Sequence, residues 1–455
     1  MHAADGTTSM NADSTEVPFR LSPLQWLICS IAGLGFAFDL YETLILPLIL
    51  RPVLADLGKL VPGTRGFNLW AGLLLFIPSA TAGVVALFGG YLMDLLGRRR
   101  ILVWSILLYG ISGCAAAYCW SLPALLLFRC ITLMGVYVEY IAAVAWLAEL
   151  FLDPKRRESV LGYTQTFFNL GGLMVTGAYF LAVTYAHRLP AISGSHEAWR
   201  YTLLTGLIPA LPLIIVRPFL PESRIWQEKK ALGTLKRPSI AELFSPSLRR
   251  TTVVTTFLVA CSFALPYGAI QQTVQVIHDL PEVRSLTPRQ AEQAVSAVQF
   301  FQEIGGGAGR LLLAIVITRV VSQRLLLRTL FGACLVAFSW LYFLGATEHL
   351  IQVEIGIVVA SLLFNSLHSF WGNFLPRVFP THLRGTGESF AMNVGGRTIG
   401  VTAALITTQL ANIMPAQSVG ARLAYSAGVV AALACIAGLL ASSWLREPVS
   451  DLLPD

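Results

Sequence analysis

Asp39, Arg129, Glu139 and Arg397 are ionisable residues set inside long apolar runs, and their chemistry is that of proton carriage and anion binding. A charge near the centre of a membrane helix costs at least about 2.5 to 3.5 kcal/mol, so each of them calls for a function. A carboxyl beside a guanidinium works as a proton switch: it stays ionised while paired and frees the arginine when protonated. Counted by helical rise, Asp39 lies roughly 16 Å below the outer end of its run at Leu50, and Arg129 roughly 10 Å below the outer end of a run going the other way. These depths bring the two together as a proton-coupling pair in the outer half of a bundle, with a static, packing ion pair as the alternative. Glu139, about ten residues deeper beside the midplane, is a second proton carrier. Glu42 lies nearer the outer end and is expected to reach water.

Arg397 has no obvious acid near it in its own run, which makes a carboxylate substrate its natural partner; the competing assignment is a structural pair with an acid on another helix. Asn169, Asn393, Gln165 and Tyr41 are the polar side chains grouped with it as substrate-binding candidates. Glu303 and Arg310 share a helical face two turns apart and read as a pair. His368 reads as a histidine hydrogen-bonded within the protein.

The elements that must position these groups are membrane helices. Of 455 residues, 55% are hydrophobic and 13% charged, far from the about 25% charged of soluble domains. Apolar runs near 24–50, 67–92, 101–120, 122–149, 159–185, 200–219, 252–277, 291–317, 325–345, 350–375, 387–412 and 421–445 predict twelve spans of about 20 residues or more. Met1 to Pro18 is polar and lacks the basic start of a signal peptide. Lys and Arg favour the loops on the side of that tail, including Arg98 to Arg100, Lys155 to Arg157 and Lys236-Arg237, so both termini are expected in the cytoplasm of a cell-membrane protein. The net charge of +7 is thereby topology, spread over short loops and giving no support for nucleic-acid binding. The seven cysteines lie in or beside apolar runs without paired spacing and read as packing residues. There is no phosphate-binding loop, metal-ligand cluster or nucleophile elbow, so no enzyme activity and no cofactor is expected.

Organisation follows from the one long polar internal stretch. Residues 1–20 form a tail, 21–220 a six-helix bundle, 221–250 a linker, 251–445 a second six-helix bundle and 446–455 a second tail. Asn169-Leu170-Gly171-Gly172 in the fifth span is echoed by Asn393-Val394-Gly395-Gly396 in the eleventh, as parallel repeats would give. Glycines recur in the second, fifth, eighth and eleventh spans, marking an interface between two moving bundles.

These residues resemble the major facilitator superfamily, in its sugar-porter and organic-acid-symporter branch, over nearly the whole chain. Gly90 to Arg100 resembles the loop between the family's second and third helices, with Leu95 in place of the usual basic residue. Phe128-Arg129 to Gly135, Glu139, Glu149 and Arg157 resemble its fourth helix and following loop. Pro221-Glu222-Ser223-Arg224 resembles the signature after helix six, and Phe379-Pro380-Thr381 with Arg384 to Gly387 the loop before helix eleven. The resemblance implies alternating access with a cytoplasmic gate of Gly90, Asp94, Gly97, Arg98, Arg99, Glu149 and Arg157. It also implies proton coupling through Asp39 and Arg129. Arg377 replaces the acid expected before Phe-Pro-Thr, and Thr318 to Arg324 lacks the Asp and Gly of the counterpart loop, so the second-half gate is altered. Gln271 and Gln272 stand without the Gln-rich, Gly-Asn pattern of sugar porters, which favours a small organic anion.

The expectation is an all-α transporter that moves a small carboxylate with protons as a monomer in the bilayer. A sugar or polyol symporter, an exporter of drug-like compounds and a transport-dead sensor are the alternatives.

Overall fold

A computed structural model describes residues 22–151, 160, 164, 167–216, 222, 227–228, 231–232, 239–317, 322–347, 349–380 and 383–447, without the side chains of Leu24, Gly90, Tyr91, Asp94, Leu95, Ala148, Glu149, Pro209 and Thr347. Ser22, Thr64, Ser121, Thr287, Ser322 and Ser418 each accept the amide N–H three residues on, satisfying a free donor of the helix they start. Behind such caps the apolar runs become α1 (Pro23–Gly58), α2 (Arg65–Leu96), α3 (Arg98–Ala117), α4 (Leu122–Leu150) and α5 (Phe168–Tyr185). Then come α6 (Ala198–Thr205) and α7 (Leu207–Val216), one rod interrupted at Gly206. The second half holds α8 (Arg249–Gly268), α9 (Pro288–Val316), α10 (Gln323–Phe343) and α11 (Leu350–Val378). It ends with α12 (Arg384–Phe390), a π-helical segment Ala391–Gly400, α13 (Thr402–Leu410) and α14 (Val419–Ala441).

Ten of the helical runs are long and apolar enough to cross a membrane. Two further long runs, α9 and the rod of 384–410, fall outside those ten, and they carry Glu303, Arg310 and Arg397. The total is consistent with the expected twelve. Among the described residues an isolated bridge between Ile192 and Ser195 is the only β pairing. One boundary differs with consequence: α1 does not stop near Leu50 but runs through Pro47 and Pro52 to Gly58, where Lys59 takes the left-handed C-cap.

In the first bundle α4 packs on α1, α2 and α3, and α5 on α1. In the second, α8 packs on the π segment and α14, α9 on α11, and α10 on α11 and α14. The bundles meet where α2 lies along the 384–410 rod and α5 along α9. Gly63, just past α1, lies against Val419 at the start of α14, so the beginning of α1 and the end of α14 share the opposite side of the molecule. That side is the terminal face, and the other the far face.

The two Asn-x-Gly-Gly sequences occupy matching places. A Cβ on Gly171 would run into the Ala37 carbonyl of α1, and one on Gly395 into the Thr256 carbonyl of α8, so in both halves the first glycine seats one helix on the backbone of another. Gly171→Ala is therefore expected to destabilise the protein by about 1 to 3 kcal/mol, whereas Gly177→Ala, with nothing near its Cβ position, should be neutral or slightly stabilising. Thermal unfolding of the two variants side by side is the check.

Candidate functional site

The π-helical turn widens the backbone around Arg397: the Val401 amide reaches back to the Gly396 carbonyl at 3.2 Å, five residues away. Such segments recur at functional sites because they re-aim one side chain out of an otherwise regular helix. Here that side chain is Arg397, whose guanidinium carbon stands 4.0 Å from the ring centre of Tyr137 and 5.5 Å from that of Tyr140, both on α4 of the other bundle. Its Nη1 donates to Asn393 Oδ1 at 3.0 Å, and Asn393 in turn donates to Ser389 Oγ at 3.1 Å. Among the described residues Arg397 makes no ion pair. Cation–π contacts leave the guanidinium edge N–H groups available to an anion.

Tyr137 is fixed by its hydroxyl, 2.8 Å from Ser79 Oγ on α2 and 3.3 Å from the Tyr267 hydroxyl on α8, while Ser79 also donates to Tyr267 at 3.3 Å. Tyr140 packs against Phe36 and, at 6.5 Å between ring centres, Phe168. Asp39 lies within electrostatic reach of the Tyr140 hydroxyl and is buried, as is Glu139. A wall of aromatic rings with a guanidinium laid over it, and carboxyls nearby, thus lines the meeting of the bundles.

Of the residues singled out from sequence, Arg397 and Asn393 come together directly, Asn393 orienting the arginine. Asn169 is elsewhere: its Nδ2 donates to Glu303 Oε2 at 3.3 Å and its buried Oδ1 has no partner among the described residues. Tyr41 is fully buried in the first bundle, stacked on Phe38 and hydrogen-bonded to Thr205 Oγ1 at 2.7 Å, which gives it a packing place instead of a place at Arg397. Gln165 lies outside the described residues.

The ion pair of Arg129 differs from the expected one. Arg129 Nη1 is 3.1 Å from Glu42 Oε2, and Nη2 donates to the Glu42 backbone carbonyl. The physical reason is the length of α1: depth was counted from Leu50, but the helix continues to Gly58, so Asp39 sits deeper than counted and Glu42, one turn nearer the far face, meets the arginine. The pair is almost wholly buried, with Gly206 giving it room and Gly113 beside it. Glu303 and Arg310 do not pair either. The Glu303 carboxylate instead accepts amide N–H groups from Gln299 (3.1 Å), Gln302 (2.9 Å) and Asn169 (3.3 Å). Arg310 lies over the Phe168 ring at 5.1 Å and, among the described residues, makes no ion pair. His368 Nδ1 is 3.0 Å from the Phe364 carbonyl, with its ring against Phe263.

At the terminal face Gly97 turns the chain from α2 to α3 at φ +95°, which an L side chain would resist. Arg98 is buried and donates from Nη1 to the Met93 carbonyl at 3.2 Å. The role missed from sequence is that of Glu222, named there only within the motif after helix six: its carboxylate accepts the Arg98 and Arg99 backbone amides at 3.1 to 3.3 Å and so caps α3. Its counterpart after the last helix is Glu447, which accepts from Ser322 Oγ and the Arg324 amide at the start of α10. The Ser322 bond is the main cause that holds the Glu447 carboxyl below its ordinary range. The signal was a helix start at Gly97 with no side chain of its own to cap it. Of the other gate candidates, Arg157 and the side chains of Asp94 and Glu149, with the Cβ environment of Gly90, lie outside the described residues.

On the far face the bundles are joined by Asn68 to Asn412 at 2.7 Å, Tyr179 to Glu292 at 2.6 Å and Gln293 to Thr184 at 3.1 Å. The far entrance between the bundles is therefore bridged at both of their contact lines.

Comparison with known proteins adds identity to this geometry. Residues 31–404 match the family model described as Major Facilitator Superfamily. The chain is 29% identical to "Probable 4-methylmuconolactone transporter" of Cupriavidus pinatubonensis (strain JMP 134 / LMG 1197), over 73% of this chain and 75% of that one. It is 25% identical to the 3-(3-hydroxy-phenyl)propionate transporter of Escherichia coli (strain K12), over 72% and 73% of the two. Among solved structures, the D-xylose-proton symporter superposes with a TM-score of 0.68 at 17% identity, covering 93% of this chain and 98% of the other, a likeness of fold.

Proposed function

Because this chain belongs to the major facilitator superfamily and is a multi-pass transporter of a small molecule, we propose that its cargo is a small organic anion, an aromatic or unsaturated carboxylate, moved together with protons by alternating access. The observation that carries the reading is Arg397: a guanidinium at the meeting of the bundles, laid on the Tyr137 and Tyr140 rings, with no ion pair among the described residues. A planar carboxylate satisfies both features, since its charge takes the guanidinium edge and its ring packs on the aromatic wall. The hydroxyphenylpropionate cargo of one relative has this chemistry. Asp39 and Glu139 are the proton carriers in this proposal, Asp39 within electrostatic reach of the Tyr140 hydroxyl. Arg129 is neutralised by Glu42 and acts as their structural neighbour. Both termini face the cytoplasm, the membrane is the cell membrane, and the working unit is the monomer.

Proteoliposomes test this with 3-(3-hydroxyphenyl)propionate. An inward proton gradient should drive accumulation, and collapsing the gradient should remove it. Asp39→Asn should abolish gradient-driven accumulation while leaving counterflow exchange within about threefold of the original. Accumulation unaffected by the gradient would refute proton coupling, and loss of both activities in a folded Asp39→Asn protein would make Asp39 structural.

A second reading, a polyol cargo, is favoured by one observation. Gln271, Gln272 and Gln275, where α8 gives way to short helical turns, are buried with amide oxygens that have no hydrogen-bond partner among the described residues. Competition by pentoses in the same uptake assay distinguishes it.

A further inference from the structure

The far-face contact between α5 and α9 is built on groups that the transport reading above does not use. Glu292, in the second turn of α9, accepts the Tyr179 hydroxyl proton on Oε2 at 2.6 Å, across the boundary between the bundles. Its Oε1 lies 3.0 Å from His278 Nε2, and the other ring nitrogen, Nδ1, lies 2.9 Å from the Val274 carbonyl oxygen. A carbonyl oxygen accepts only, and so does a carboxylate. A neutral imidazole has one N–H and cannot serve both acceptors, so the geometry needs one proton more than a neutral histidine and a carboxylate supply. That proton sits either on the imidazolium, donating from both nitrogens, or on Glu292 Oε1, donating to Nε2.

We propose that His278 and Glu292 form a proton-binding site that latches the far face shut, taking its proton from the far-side solution as the bundles close. With the proton present, Glu292 is held between His278 and Tyr179 and ties α5 to α9. Without it, a neutral imidazole serves only one of its two acceptors: with its hydrogen on Nδ1, toward the Val274 carbonyl, the Nε2 lone pair faces the carboxylate, Glu292 turns away, and the bond to Tyr179 is lost with it. The other charged and titratable groups around the site are Arg51 at the far end of α1, Asp279 and Arg284 beside His278, and Glu197 ahead of α6. Asp279 is occupied by Arg284 and by the Gly420 amide at the start of α14. Arg51 offsets the acids without contacting the histidine in any described hydrogen bond. The proton comes from the far-side solution, so the latch answers to the far-side pH.

The test is a distance measurement on the full-length protein in nanodiscs. Spin labels are placed at His187→Cys and Arg289→Cys, exposed positions at the far ends of α5 and α9, with the seven native cysteines replaced. No cargo is added, so the outcome is independent of whether the anion reading holds. Raising the pH from about 5 to 8 should lower the ratio of short-distance to long-distance populations roughly ten- to hundredfold, the weight of one charge-assisted hydrogen bond. His278→Gln and Tyr179→Phe should each abolish that dependence, the first by removing the imidazole that shares the proton with Glu292 and the second by cutting the link across the bundles. A ratio that stays constant with pH in the unsubstituted latch would overturn the proposal, as would the same pH dependence persisting in either variant.

Discussion

Replacing Arg397 with Gln should weaken binding of an aromatic carboxylate by about a hundredfold, while a neutral polyol should lose less than about threefold. A charge-assisted bond to a carboxylate contributes about 1.5 to 3 kcal/mol, and a fork of two such bonds more. Gln keeps a donor and much of the shape but removes the charge and the stacking on Tyr137. Arg397→Lys should fall between, near a tenfold loss, because an ammonium keeps the charge and loses the planar fork that lies on the ring. Thermal-shift titration of the purified protein against 3-(3-hydroxyphenyl)propionate and a pentose reads both affinities, since a ligand that binds the folded state raises its stability. Equal losses for the acid and the pentose would place Arg397 in the scaffold, outside the cargo site. An unchanged acid affinity would remove it from recognition altogether.

Glu42→Gln should cost about 3 to 5 kcal/mol of stability, more than the crowding introduced by Gly171→Ala. Arg129 is completely buried, and Glu42 is the carboxylate bonded to it. Neutralising Glu42 leaves a guanidinium inside the first bundle with, among the described residues, a carbonyl and an amide oxygen to face it. The double variant Glu42→Gln, Arg129→Met should recover much of that loss, because a buried pair replaced by apolar or neutral groups of similar volume is often near neutral. The double-mutant cycle separates a packing pair from a proton switch. If the double variant regains stability and still accumulates cargo against its gradient, the pair is structural. If it regains stability but transports only by exchange, the pair belongs to the coupling machinery, and Asp39 does not act alone.

Much of this was legible in the residues. Apolar run length predicted the helices to within a few residues at most ends, since the bilayer sets the length and the period of the pattern sets the type. The repeat of Asn, x, Gly, Gly was legible because close backbone approach has one chemical solution, and Gly171 and Gly395 use it in the same way. Arg397 was legible as a charge whose nearest acid along its own rod, Glu388, lies more than two turns away. The aromatic wall was not, because Tyr137 and Tyr140 are ordinary residues of α4 until the π segment and α8 are laid against them. The partner of Arg129 was misassigned because depth along one helix was measured from an end that the chain does not use.

The sequence by itself determined that this is a helical membrane transporter of the major facilitator superfamily, through features that are local along the chain: apolar length, basic loops, helix caps and short motifs. The tertiary structure decided which charges face which. Glu42 and not Asp39 holds Arg129, amides and not Arg310 hold Glu303, and Glu222 caps a helix more than a hundred residues before it. The reason is physical. Helical rise fixes depth only along one axis, while an ion pair forms between side chains on different helices whose rotation and stagger are set by packing, and packing is a property of the assembled bundles.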